Sequence, residues 1–127
     1  MNSEISHYER LGGEKNLRQL VDRFYDLMDE KDDVKALRQL HAKSLRVSRE
    51  KLFLFLSGWL GGPPLYVEKY GHPRLRQRHM PFAIGTDESK QWMLCINQAL
   101  DEQVKDIAFK QLLKDSFQKV ATHMTNK

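Results

Sequence analysis

The sequence predicts an all-α protein, and three observations carry that prediction. Apolar residues recur at offsets of three and four along most of the 127-residue chain. Glycine and proline gather mainly between these periodic runs rather than inside them. The strict apolar–polar alternation of a half-buried strand is absent throughout.

A short helix is expected from about Ser3 to Arg10, and Gly12-Gly13 breaks the chain after it. From Glu14 to about Asp29, the residues Leu17, Leu20, Val21, Phe24, Leu27 and Met28 share one helical face. Val34, Leu37, Leu40 and His41 predict a short turn of helix. Val47 to Leu60 is apolar on most sides, the pattern of a helix buried against more than one neighbour. Gly61-Gly62-Pro63-Pro64 ends it, because glycine relaxes the backbone and proline cannot continue the hydrogen-bond ladder. Leu65 to Arg78 contains Gly71 and Pro73 and is read as a loop followed by a short helix ending near His79. Pro81 disfavours helical geometry at Met80. Thr86 or Asp87 is expected to cap a helix running to about Val104, with Trp92, Cys95, Ile96, Ala99 and Leu100 inward. The last helix is expected from about Asp106 to Met124, with Phe109, Leu113, Phe117, Val120 and Met124 on one face.

Size and composition narrow the function classes. A chain of 127 residues fits a single domain over its whole length, 1–127, with enough surface to bury in one core. Its 40% hydrophobic and 30% charged content is that of a soluble globule rather than a disordered chain. The apolar run Leu52–Leu56, resuming at Trp59-Leu60, is too short to span a bilayer. The N-terminus lacks a basic start followed by an apolar stretch, so no export signal is expected. Cys95 is the only cysteine; it cannot form an internal disulfide, it reads as a small core residue, and a cytoplasmic home follows as the simplest expectation. The net charge of +4 is mild for a nucleic-acid binder, and no zinc spacing, helix-turn-helix or RNA-binding signature accompanies it. No internal repeat or low-complexity segment is present.

The chemistry concentrates around Arg78-His79-Met80-Pro81-Phe82, which follows Gly71-His72-Pro73-Arg74-Leu75-Arg76-Gln77. A histidine between two apolar helical faces, with several cations close in sequence, suits an iron porphyrin. The imidazole can bind iron, the apolar faces can hold the ring, and the cations can meet its carboxylates. Each residue taken singly has a plainer reading. His7 and His123 lie near the ends as surface groups, His72 precedes Pro73 in a turn, and His41 follows an apolar turn as a core histidine would. Tyr25 and Trp92 sit on apolar helical faces where packing is the default, although a buried phenol or indole normally seeks a hydrogen-bond partner. Arg74, Arg76 and Arg78 read by themselves as a solvated charged face. The joint spacing, not any one residue, raises the haem reading.

Together these residues resemble the truncated globins, and within them the second, O-type group. The resemblance runs from Tyr8-Glu9-Arg10-Leu11-Gly12-Gly13 to the last helix. It is strongest at Arg23-Phe24-Tyr25, at Gly58-Trp59-Leu60-Gly61-Gly62-Pro63, at Tyr70–Arg76, at Arg78–Phe82 and at Gln91-Trp92-Met93-Leu94-Cys95. It implies a two-over-two helical sandwich around haem b (iron protoporphyrin IX). It matches His79 to the family's proximal iron ligand, Tyr25 and Trp92 to its distal donors, and His41 to its distal corner. Ser48 and Leu52 fall at the small and apolar positions of the distal helix. Tyr66 and Arg78 match positions that contact haem propionates, and His72 could reach a cofactor carboxylate. Phe55, Leu56 and Phe82 are implied as apolar contacts to the ring.

The function implied is binding of dioxygen and other diatomic ligands at a five-coordinate iron with a polar distal pocket. One neutral hydrogen bond is worth roughly 0.5–1.5 kcal/mol net. Two or three such donors slow ligand release by one to several powers of ten, since about 1.4 kcal/mol is tenfold. Slow release suits bulk oxygen transport poorly. One alternative is a haem-dependent redox enzyme, peroxidase-like or nitric-oxide-dioxygenase-like, fed by a separate reductase because the chain carries no flavin or nicotinamide motif. Another is a cofactor-free helical interaction protein whose arginines bind an acidic partner. No nucleic-acid or membrane partner is expected, and a monomer is the default.

Overall fold

The computed structural model describes residues 5–126, with the side chain of Arg76 outside that description. Among the described residues all regular structure is helical: α1 (His7–Leu11), α2 (Gly13–Glu30), a 3₁₀ turn (Asp32–Val34), α3 (Lys35–Gln39), α4 (Arg46–Trp59), α5 (Leu65–Tyr70), α6 (Leu75–His79), α7 (Thr86–Gln103) and α8 (Ile107–Met124). No helix among them is long and apolar enough to cross a membrane.

Local chemistry explains the boundaries. The expectation of a helix from Ser3 falls partly on residues 3 and 4, outside the described residues. The helix itself starts at His7, where the Ser6 hydroxyl accepts from the Glu9 amide. Gly12, at φ 117°, closes α1 in the left-handed conformation that a side chain would strain. Asn16 then donates to the Leu11 carbonyl at 2.8 Å, bridging the break into α2. Gly61, at φ 90°, turns the chain out of α4. Asp106 caps α8 by accepting from the Phe109 amide at 3.0 Å.

Three expectations are corrected. Leu65–Tyr70 is the helix α5 rather than loop, with Pro64 at its N-cap, where the missing N–H costs nothing. Helix α6 ends at His79 as expected, but its C-cap Met80 keeps α-region backbone angles (φ −57°, ψ −34°) despite Pro81, since the pre-proline preference is a bias that the turn bond from the Phe82 amide to the His79 carbonyl, 3.0 Å, overcomes. Gly85, not Thr86 or Asp87, stands at the N-cap of α7, and its amide donates to the Glu88 carboxylate at 2.7 Å.

The chain divides into two compact units. The first comprises the residues up to Asp22 together with Ser44–Pro73. Here α4 packs on α5. The approach is close because Gly58 lacks a side chain: a Cβ there would stand 3.2 Å from the Pro64 Cα. The buried Ser57 hydroxyl donates to the Pro63 carbonyl at 2.7 Å, so the turn between the helices keeps no unmet hydroxyl. Gly62 leaves room for the Tyr8 ring, and the Tyr8 amide donates to the Leu60 carbonyl at 2.9 Å.

The second unit comprises Arg23–Lys43 and the residues from Arg74 onward. Its principal packing is α7 on α8. Phe24, Cys95, Ile96, Leu100, Leu113 and Phe117 are almost wholly buried. Arg23 forks onto the Glu102 carboxylate, with nitrogen–oxygen distances of 2.7 and 3.1 Å, fixing the second half of α2 against the end of α7.

Candidate functional site

His79, Tyr25, His41 and Trp92 all belong to the second unit. His79 ends α6, a helix too short to persist alone. Its ring Nδ1 lies 2.6 Å from the Leu75 carbonyl one turn earlier. A carbonyl can only accept, so Nδ1 carries a proton, and the neutral ring keeps its lone pair on Nε2. That is the tautomer and the orientation a metal-binding histidine requires. The ring is half-buried, whereas Met80 and Phe82 beside it are 54% and 43% exposed. Two large apolar side chains exposed next to a half-buried imidazole form an apolar surface available to a ligand.

The hydrogen-donor candidates form a second cluster, built on ring packing. Phe24 is fully buried, and its centroid lies 4.9 Å from Tyr25 and 5.2 Å from Trp92, both in edge geometry. Trp92 also meets Phe117 at 5.8 Å, and Tyr25 meets His41 edge-on at 6.0 Å. The structure therefore brings together the three distal residues named from sequence. Phe24 on α2 packs against both rings, and Phe117 on α8 packs against Trp92 from another side.

His41 is held by backbone. Its Nδ1 donates to the Leu37 carbonyl at 3.0 Å. Burial pushes its pKa below the ordinary imidazole value. The Leu37 hydrogen bond opposes that shift, while the positive charge of Arg38 adds to it. Neutral His41 thus presents an unprotonated Nε2. Nearby, burial lifts the Cys95 thiol to about 11, which keeps it protonated and inert.

Sequence reasoning missed two supporting residues. The Gln91 side chain accepts from the Leu37 amide at 2.9 Å. Leu37 is the third residue of α3, so its N–H is one that the helix cannot satisfy by itself. Gln91 therefore acts as a remote cap for the five-residue helix that carries the acceptor of His41. The second is Asn126, whose side-chain amide donates to the His79 carbonyl at 3.2 Å. Gln91 at least adjoins Trp92 in a stretch that the sequence marks out, whereas nothing in the sequence draws attention to Asn126.

In the first unit, Ser48, Leu52 and Phe55 are half-buried on α4, and Leu56 is buried. Phe55 meets Tyr66 edge-on and stacks with Trp59, each at 6.4 Å. Tyr66 is 8% exposed and packs on Tyr70 at 5.0 Å; it is a helical, buried tyrosine rather than a loop aromatic. The ammonium groups of Lys51 and Lys69 lie 5.6 and 5.4 Å from the Tyr70 ring centroid. His72 and Arg78 are exposed. A groove of about 490 Å³ between α7 and α8, lined by Met93, Leu94, Asn97 and Thr122 among others, holds none of the candidate residues.

The donor set fits an iron porphyrin. One imidazole is committed to a metal-binding tautomer, apolar side chains are exposed beside it, and a phenol and an indole are held by ring packing.

Comparison with known proteins agrees. The pattern of the bacterial-like globins matches residues 6–126. The group 2 truncated hemoglobin YjbI of Bacillus subtilis is 36% identical over 119 residues, covering 94% of this chain and 87% of that relative. The cold-adapted truncated hemoglobin of the Antarctic marine bacterium Pseudoalteromonas haloplanktis superposes with a TM-score of 0.95 at 46% identity, covering 97% of this chain and 99% of that one. The group II 2-on-2 hemoglobin of Agrobacterium tumefaciens gives 0.95 at 38% identity, over 98% and 97% of the two chains. A truncated oxygen-avid haemoglobin from Bacillus subtilis gives 0.87 at 35% identity, over 96% and 100%. The all-α, two-over-two class expected from sequence is the fold of these structures.

Proposed function

The chain belongs to the bacterial-like globin family as a group II truncated haemoglobin, a haem globin, and from that premise we propose that it binds dioxygen and other diatomic ligands tightly and releases them slowly. The observation that carries this reading is the 2.6 Å contact between the His79 Nδ1 and the Leu75 carbonyl, which orients the ring and leaves the opposite nitrogen available to a metal. If bound, haem b would supply an iron able to take a small ligand, and His79 would be the residue that holds it. The match over residues 6–126 supports reading the chain as one domain.

The chain's own residues do the rest. Tyr25 and Trp92 carry the O–H and N–H that would stabilise partial negative charge on a bound ligand, and the burial of Tyr25 would strengthen its bond. Neutral His41 offers Nε2 as an acceptor, suited to orienting a neighbouring hydroxyl rather than donating to the ligand. Met80 and Phe82 offer apolar contact to the ring, and Arg78 offers a charged hydrogen bond to a propionate. Ser48, Leu52, Phe55, Leu56, Tyr66 and His72 are proposed as haem contacts from the resemblance alone. Any redox turnover would draw electrons from a separate reductase.

The visible spectrum of the reduced protein tests the anchor. The wild type should show a strong Soret band with a five-coordinate ferrous signature, and His79→Ala should abolish that signature; a His79→Ala protein with the wild-type spectrum refutes the assignment. Stopped-flow oxygen release tests the donors. Replacing Tyr25 and Trp92 together by phenylalanine should speed release by about tenfold or more, the loss of two net hydrogen bonds.

A further inference from the structure

The segment carrying His79 has little regular structure of its own. Helix α6 spans five residues, and no helix or strand follows until α7 begins at Thr86. Such a segment does not stay folded on local propensity. Yet an iron ligand must be held in one orientation to bind tightly.

Asn126 supplies the restraint. Its side-chain Nδ2 donates to two carbonyls of the segment, His79 at 3.2 Å and Phe82 at 2.9 Å. Its Oδ1 accepts from the Ile84 amide at 3.0 Å. Its backbone amide donates to the Ile84 carbonyl at 2.9 Å. Both ends of the side-chain amide and the main-chain N–H all point at residues 79–84. The two carbonyls and the one amide also fix which end of the side chain is oxygen.

Asn126 is itself well placed to act as an anchor. Thr125 leaves the end of α8 in extended geometry (φ −64°, ψ 126°), which swings residue 126 off the helix. The Thr125 hydroxyl donates back to the Ala121 carbonyl at 3.2 Å. Ala121 and Met124 are buried, so the last turn of α8 is seated by packing. Helix α6 packs against α8 as well. The restraint therefore runs from a packed 18-residue helix to a short, poorly self-supporting one.

We propose that Asn126 is the positioning residue for His79: it latches residues 79–84 to the end of α8 and thereby sets the orientation of the iron ligand and the retention of the haem. This rests on His79 being the anchor proposed above. Asn126 acts through the backbone of the segment and touches no ligand.

The experiment uses the full chain loaded with haem, compared with Asn126→Ala, Asn126→Asp and His79→Gly. Three readouts are taken: haem transfer to an excess of a scavenging apoglobin, the iron–histidine stretching band of the reduced form by resonance Raman, and hydrogen exchange at the Ile84 amide. Asn126→Ala should speed haem transfer about tenfold, the loss of one to two net hydrogen bonds. It should also shift or broaden the iron–histidine band and speed Ile84 exchange by a similar factor. Asn126→Asp keeps the acceptor for Ile84 but loses the two donors. It should protect the Ile84 amide while leaving the iron–histidine band displaced. A purely structural role would lower the melting temperature and leave that band in place. A wild-type band and transfer rate in Asn126→Ala, with His79→Gly losing the band, overturns the latch alone. A band that survives in His79→Gly overturns the anchor, and the latch falls with it.

Discussion

Two regions of the second unit do related work by opposite means. Around Tyr25 and Trp92, position is set by packing: Phe24 has no exposed surface and holds both rings within 5.2 Å. Around His79, position is set by hydrogen bonds, from the Leu75 carbonyl to the ring and from Asn126 to the backbone. Packing on 18-residue helices resists displacement because many contacts must break together. A hydrogen-bonded segment can yield by losing one or two bonds, each worth little in net terms. The donors thus sit on a stiff framework, while the proposed metal ligand sits on a segment whose compliance is set by a few named groups.

The comparison breaks most readily at its phenylalanines. Phe24→Ala should cost about 3–5 kcal/mol of stability, the usual range for a fully buried ring, and should loosen Tyr25 and Trp92 with it. Phe82→Ala, at a residue 43% exposed, should change the stability of the haem-free chain by no more than about 0.5 kcal/mol. Thermal or urea unfolding of the haem-free variants measures both, and equal losses would erase the contrast between packed and hydrogen-bonded regions.

Gln91→Met offers a smaller and sharper test. It keeps the length of the side chain and removes the acceptor for the Leu37 amide. By analogy with a lost helix cap, it should cost about 0.5–2 kcal/mol. It should also free the ring of His41 to exchange tautomers, visible in nitrogen chemical shifts of the carbon-monoxide-bound protein. A cost with no change at His41 would reduce Gln91 to a packing residue.

The smallest effect is the pH response of His41. Its pKa lies below the ordinary imidazole value because burial disfavours the charged ring. The folded chain therefore takes up this proton less readily than the unfolded one. The stabilisation from the neutral ring is present above the ordinary imidazole pKa and is lost as pH falls through the lowered folded value. Over that same interval Nε2 gains a proton and becomes a donor. Oxygen release should slow in acid by about threefold, less than one net hydrogen bond, and His41→Phe should flatten the profile. A flat wild-type profile would leave His41 without a part in ligand binding.

Much of this was legible in the chain. The spacing of Leu17, Leu20, Phe24 and Met28, or of Phe109, Leu113 and Phe117, states a buried helical face within a few residues. His79, Tyr25, Trp92 and His41 were named from motifs and resemblance, and all four fall in one unit. Helix α5 was harder to read: six residues between Pro64 and Gly71 are too few to display a period, so a loop was the natural expectation.

Sequence by itself determined the longer helical segments, where glycine and proline interrupt them, and which side chains have chemistry suited to haem and a small ligand. Only the tertiary structure decided how those side chains are held. Gln91 reaches a backbone amide 54 residues away, and Asn126 reaches a carbonyl 47 residues away. Apolar periodicity is written locally because one helix face repeats every few residues. A single hydrogen bond between distant residues has no period, and its existence depends on the folded path of the chain that brings its two ends together.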